Sequence, residues 1–130
     1  MKKEHFKLIV LIFISLFIFN CSNQSGMNDY NTVVKFSKGE QLKFPDFTIE
    51  YTGERTETNQ FPNGNSVTIK FHEFTVTSAS SNKKVSWSSG TGDIAPVAFE
   101  IDGKNFELEM SNSEKLKTKL SENEFVIVKK

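Results

Sequence analysis

Metal-ligating and redox side chains are scarce in this chain, which has one cysteine, Cys21, and two histidines, His5 and His72, among 130 residues. A metal site needs several such ligands converging, and Asp93 with its neighbouring loop oxygens matches no calcium loop. No metal and no cofactor is therefore expected. A single thiol also allows no internal disulfide, so the fold has to rest on an ordinary apolar core. Catalytic groups are equally few: Gly-x-Ser-x-Gly is absent, and Ser86, Ser88, Ser89 and Thr91 have only His72 as a base within the domain. Glu107 and Glu109 alternate with Phe106 and Leu108, and so read as a solvated strand face, not as an acid/base pair. His72 beside Glu73 reads in the same way, as a solvated pair. Charge of one sign is lacking too. The formal net charge is zero, and the leader takes away three lysines and one glutamate, leaving an acidic excess of two. That is no footprint for nucleic acid or for an anionic membrane surface. Together these absences predict a protein that is not an enzyme.

Long apolar runs are missing as well, with one exception. Lys2, Lys3 and Lys7 precede Leu8 to Phe19, a run broken only by Ser15. Twelve helical residues reach about 18 Å, against a hydrocarbon core of about 30 Å, so the run is too short to span a bilayer. It reads as the apolar part of a secretory signal peptide covering residues 1–20. The residues that follow, Ile18-Phe19-Asn20-Cys21, resemble a relaxed lipobox of bacterial lipoproteins, with cleavage just ahead of the cysteine. The resemblance covers the leader only. It implies a diacylglyceryl group and an N-acyl chain, palmitate-like, on Cys21, and three acyl chains at about 0.8 kcal/mol per buried methylene anchor a protein for good. Lipidation would also account for an unpaired thiol in an exported chain. The alternatives are an ordinary signal peptide that leaves Cys21 free, and an uncleaved anchor. By analogy with sorting in such lipoproteins, Ser22 favours the outer membrane if the cell has one.

Ser22 to Asn31 has almost no apolar residue and no period. With Cys21 it reads as a lipid-attached, flexible tether over 21–31, of root-mean-square reach ~18 Å. From Thr32 to Lys130 one domain is expected, and apolar residues there alternate with period two, the mark of strands with one buried face. Val34 and Phe36, a turn at Lys38-Gly39, then Leu42 and Phe44 fit a hairpin. Phe47, Ile49 and Tyr51 continue into a polar run toward Asn59 that prolongs the strand, and Pro62-Asn63-Gly64 supplies the next turn. Val67, Ile69 and Phe71 are apolar at odd positions but Phe74 and Val76 at even ones. That change predicts a β-bulge near His72 and Glu73, or a bend between sheets. Val85 and Trp87 resume the alternation, with Trp87 in phase as a core anchor. Asp102-Gly103 between two alternating runs predicts a two-residue hairpin turn. Over Ser111 to Asn123 a capping-box spacing argues for a helix, while Lys115, Lys117 and Lys119 argue for an edge strand with lysines outward, which is preferred. Phe125 to Val128 closes the domain. Seven to nine short strands without a long helix predict an all-β fold, a small antiparallel β-sandwich or a partly closed barrel.

The loop after Trp87 is the first candidate site. Ser88, Ser89, Thr91, Gly92 and Asp93 join small hydroxyl groups to glycines whose amides can cradle an anion or a partner's side chain, and functional residues concentrate on loops held by a rigid scaffold. The leading expectation is a cell-envelope lipoprotein whose β domain binds another protein, of the inhibitor, immunity or assembly-accessory kind. Its partners would be the membrane, through lipid on Cys21, and a second envelope protein. A small-ligand or ion-binding lipoprotein and an envelope structural protein without a specific ligand are the alternatives.

Overall fold

The computed structural model describes residues 26–89 and 96–130. Cys21, and Thr91, Gly92 and Asp93 of the candidate loop, lie outside the described residues. The elements are β1 (Val34–Lys35), β2 (Gln41–Lys43), β3 (Thr48–Gln60), β4 (Ser66–Thr77), β5 (Asn82–Ser88), β6 (Val97–Ile101), β7 (Lys104–Met110), β8 (Asn112–Ser113), β9 (Thr118–Lys119) and β10 (Glu124–Lys129). One four-stranded sheet has the order β1-β10-β7-β6, the other β2-β3-β4-β5, and β8-β9 form a separate ribbon. Every ladder is antiparallel, and none joins one large sheet to the other, so the fold is a sandwich and not a closed barrel. No helix occurs among the described residues.

The inner faces of both sheets meet in an aromatic core. Phe125 of β10 is fully buried and lies 5.5 Å from Phe36, 5.8 Å from Phe74 and 6.2 Å from Phe44 between ring centroids. The contact with Phe74 is edge to face, a favoured arrangement for two quadrupoles. Ile49, Val76, Leu108 and Ile127 complete the interior, and Trp87 is buried as its phase predicts. The unbroken run Phe125–Val128 is buried on both faces because Val126 and Val128 pack with Leu120 on the far side of the sheet.

A polar clamp ties the two sheets at one end. Asp46, in the β2–β3 turn, accepts from Tyr30 Oη at 2.6 Å, from Lys129 Nζ at 3.1 Å and from Lys104 Nζ. The two lysines stand on β10 and β7, in the opposite sheet. Lys104 first, and then Tyr30, hold the Asp46 carboxyl well below the usual carboxylate range, and burial with the Asp46 contact pushes the Tyr30 phenol far up. Tyr30 also stacks on Phe44 at 5.6 Å. Residues read above as tether are thus docked: Asn28 N–H donates to Lys43 O and Asn31 N–H to Ile127 O, both at 2.8 Å.

The Asp102-Gly103 hairpin forms as expected, with φ of 51° and 74° at its two central residues. The hairpin proposed for Val34 to Phe44 does not. Lys38-Gly39 does turn the chain, with Gly39 at φ 82°, but β1 pairs with β10 in one sheet and β2 with β3 in the other. The turn carries the chain across the sandwich. The bulge exists on the partner strand: Tyr51 faces Phe74 and Gly53 faces Glu73, leaving Thr52 as the extra residue on β3. Thr52 Oγ1 donates to Glu73 O at 3.1 Å, and Gly53 has φ 137°, where a side chain is strained. β4 itself keeps one phase throughout, with His72, Phe74 and Val76 inward. Ser111 to Asn123 is not helical, but neither is it an edge of a main sheet. It forms the β8–β9 ribbon, organised by Glu109, which is 4% exposed and not solvated as the alternation predicted. Glu109 accepts from Ser113 Oγ and from Lys115 N–H, and Ser113 Oγ in turn accepts from Leu116 N–H. The ribbon covers this face of the sheet and so buries a carboxylate that period two places outside.

Phe125→Ala is expected to lower the unfolding free energy by about 3–5 kcal/mol, the usual cost of emptying a buried phenylalanine site, seen as a lower urea midpoint. Asp46→Asn should lower the midpoint near neutral pH. The folded protein holds this carboxyl's proton less tightly than the unfolded chain, so its contribution is present above the ordinary value of 3.8 and is lost as pH falls below it. The gap between the two proteins is expected to close in acid when urea midpoints are compared across that range.

Candidate functional site

The long β3–β4 hairpin outruns its neighbours. Past the bulge it continues as an arm that overhangs one end of the sandwich, and the space beneath is a cleft of about 430 Å³. Tyr51, Glu54, Lys70, His72, Trp87 and Ser89 form one wall, Phe36, Ser37 and Lys38 a second, and Met110, Ser111, Ser121, Glu122 and Asn123 the third. The bulge makes this arrangement. Because Thr52 is an extra residue, β3 presents Ile49 and Tyr51 inward before it and Glu54 inward after it, where Glu54 faces His72 across the ladder. The Lys38-Gly39 turn docks at the same place: Gly39 N–H donates to Tyr51 O at 2.9 Å. The end of the Lys38 side chain lies 3.4 Å from where a Cβ on Gly53 would stand.

His72 is the central titratable group. Its side chain is 14% exposed, its Nδ1 lies 3.2 Å from Tyr51 Oη and 3.8 Å from Glu54 Oε1, and its ring is 5.6 Å from Trp87. Burial drives its pKa below the ordinary value, Glu54 and Glu122 pull it up, and Lys70 pushes it down. Glu54 is itself held by Lys70 Nζ at 3.3 Å. Burial, then the Glu54 charge, raise the Tyr51 phenol. At neutral pH the pair is therefore an uncharged imidazole hydrogen-bonded to an uncharged phenol.

The expectation that His72 and Glu73 form a solvated pair is overturned, since neighbours on a strand point to opposite faces. Glu73 is on the outer face, where it accepts from Ser86 Oγ at 2.6 Å and Arg55 Nε at 3.1 Å, and these contacts lower its pKa. Of the candidate loop, Ser88 ends β5 opposite Phe71 on that outer face. Ser89 lines the cleft, its N–H donating to Lys70 O at 3.2 Å. The structure thus separates Ser88 from Ser89. Tyr51, Glu54, Lys38 and Lys70 were not singled out from sequence. The phase of β4 carries the signal, because His72 shares parity with Phe74 and Val76.

Among the described residues no three His, Cys, Asp or Glu side chains gather closely enough to hold a metal ion. No protein-family model, curated protein or solved structure matches the chain. What the geometry defines is an all-β sandwich with an overhanging arm and a mixed polar and aromatic cleft at its base.

Because folding lowers the His72 pKa, the unfolded chain binds the proton more strongly. Stability is then expected to fall as pH drops below the ordinary value of 6.5. His72→Gln should flatten that dependence between pH about 6.5 and the carboxylate range, as read from urea midpoints of the two proteins.

Proposed function

We propose that this chain is a cell-envelope lipoprotein, anchored through lipid on Cys21, whose β-sandwich binds another protein and performs no catalysis. The arm is the observation that supports partner binding. β2 pairs only with Thr48–Glu50 of β3, and β5 only with Phe71–Thr77 of β4. Thr52–Gln60 and Ser66–Ile69 therefore have no outer strand among the described residues. A two-stranded ribbon is marginal by itself, and an unpaired edge is a template for a further strand. Adding a partner's strand is a common mode of recognition in which main-chain hydrogen bonds supply affinity and side-chain pockets supply specificity.

The arm also carries apolar surface. Val67, Ile69 and Phe71 form a half-exposed stripe opposite Asn59, Glu57 and Arg55, with the Arg55 guanidinium 4.3 Å over the Phe71 ring, and Phe61 at the tip is 50% exposed. A strand laid on the arm would pair with its outer edge and cover this stripe. Inhibitor, immunity and assembly-accessory roles fit a tethered, disulfide-free β domain, and a lipid anchor would keep the arm near envelope partners.

The test is to tag the chain after Lys130 and capture it from detergent-solubilised envelopes of its own cell. One protein retained in stoichiometric amount by the natural chain, and lost with Phe61→Ser plus Ile69→Lys, is the expected result. Retention indifferent to the arm, or no retained protein, overturns partner binding there. Separately, Cys21→Ala is expected to move the chain from membrane to soluble fractions with an unchanged β-type circular dichroism spectrum. An unchanged membrane fraction would overturn the lipid anchor.

A further inference from the structure

Most buried polar groups in a folded protein find a hydrogen-bond partner. Trp87 is an exception. The residue is 2% exposed and lines the cleft, and its Nε1–H has no acceptor among the described residues. Sequence economy does not require an indole here, since the neighbouring interior is filled by phenylalanine and aliphatic side chains that carry no N–H. Directly across the ladder stands His72, with the two rings 5.6 Å apart. Its Nδ1 is engaged by Tyr51 Oη, and when the phenol donates there, the ring proton sits on Nε2. The cross-strand pair then offers two neutral ring N–H donors. At the mouth, Lys38 is exposed and makes no ion pair among the described residues.

We propose that this cleft is a carboxylate-recognition pocket, in which the Trp87 and His72 ring N–H groups donate to the carboxylate oxygens and the Lys38 ammonium supplies the counter-charge. A carboxylate meets each unmet demand: two oxygens that accept only, and one negative charge. A cationic group would leave both ring N–H donors unmet. The anionic groups around the cleft do not close it to a carboxylate. Glu54 is paired with Lys70, and Glu122 is exposed on the opposite wall, where it keeps its hydration. The carboxylate belongs either to a free small acid or to the chain end of a peptide. The pocket does not depend on the arm binding a protein.

Trp87 is the chain's only tryptophan, so the full chain in non-ionic detergent, labelled with nitrogen-15, gives one indole N–H resonance that reports the pocket directly. Sodium acetate, added at constant ionic strength against sodium chloride, is expected to move this resonance downfield to saturation in the millimolar range. Lys38→Gln, a change on an exposed side chain that leaves the core untouched, should raise the saturating concentration several-fold. A blocked dipeptide with a free α-carboxylate saturating at lower concentration than acetate assigns the site to a chain end, and equal concentrations assign it to small acids. No shift, a shift that grows linearly without saturation, or an equal shift with glucose or methylammonium chloride overturns the proposal.

Discussion

Two sheets that share no ladder hydrogen bonds stay together because their inner faces have a common aromatic layer to bury, and every other feature of the molecule is built on that contact. Phe125 reaches rings from the β1–β2 connection and from β4, so strands far apart in sequence become neighbours through one side chain. Without a disulfide, apolar burial at about 25 cal/mol per Å² carries the association. The Asp46 clamp adds direction more than strength. Its lysines are half exposed, where ion pairs contribute little, but the carboxylate accepts from Tyr30 and from two strands of the opposite sheet at once. That fixes how the sheets are set against each other at one end.

At the other end the sheets are allowed to part, and the cleft follows from a single extra residue. Had β3 kept one phase, Glu54 would face outward and Gly53, with no side chain, would stand across from His72. With Thr52 inserted, the inward positions of β3 beyond Tyr51 become Glu54, Thr56 and Thr58, across from His72, Lys70 and Thr68, and Thr58 and Thr68 hydroxyls meet at 3.0 Å. The inner face of the arm is thereby polar while its outer face carries Val67, Ile69 and Phe71. The amphipathic sense of the hairpin is inverted relative to the sandwich, which is why the apolar residues of β4 seemed to change parity.

Much of the fold was legible in the chain. Strands show themselves by alternation, and Asp102-Gly103 is unambiguous because both positions adopt positive φ. What was not legible were relations between distant segments. Lys38-Gly39 encodes a reversal but not the sheet each flank will join. Val67, Ile69 and Phe71 are apolar yet face away from the core, so a rule that equates apolar with inward moves the bulge onto the wrong strand. Glu109 alternates like a surface residue and is buried only because the β8–β9 ribbon folds over it. The surroundings of His72 were hidden for the same reason. His72 beside Glu73 reads as a solvated pair along the chain, whereas its partners Tyr51 and Glu54 stand some twenty residues away, across the ladder.

The electrostatics of the cleft show which influence on His72 prevails. A carboxylate 3.8 Å from an imidazole ordinarily favours the imidazolium. Here Glu54 is shared with Lys70 at 3.3 Å, so its field at the ring is partly cancelled, and Lys70 adds its own opposing charge. Packing against Trp87 and Tyr51 removes water from the ring and leaves burial as the largest effect. The Glu54–Lys70 pair therefore does more for the chemistry of the cleft than for stability, where an exposed pair counts for little. By holding Glu54 it lets a buried histidine stay neutral beside an acid.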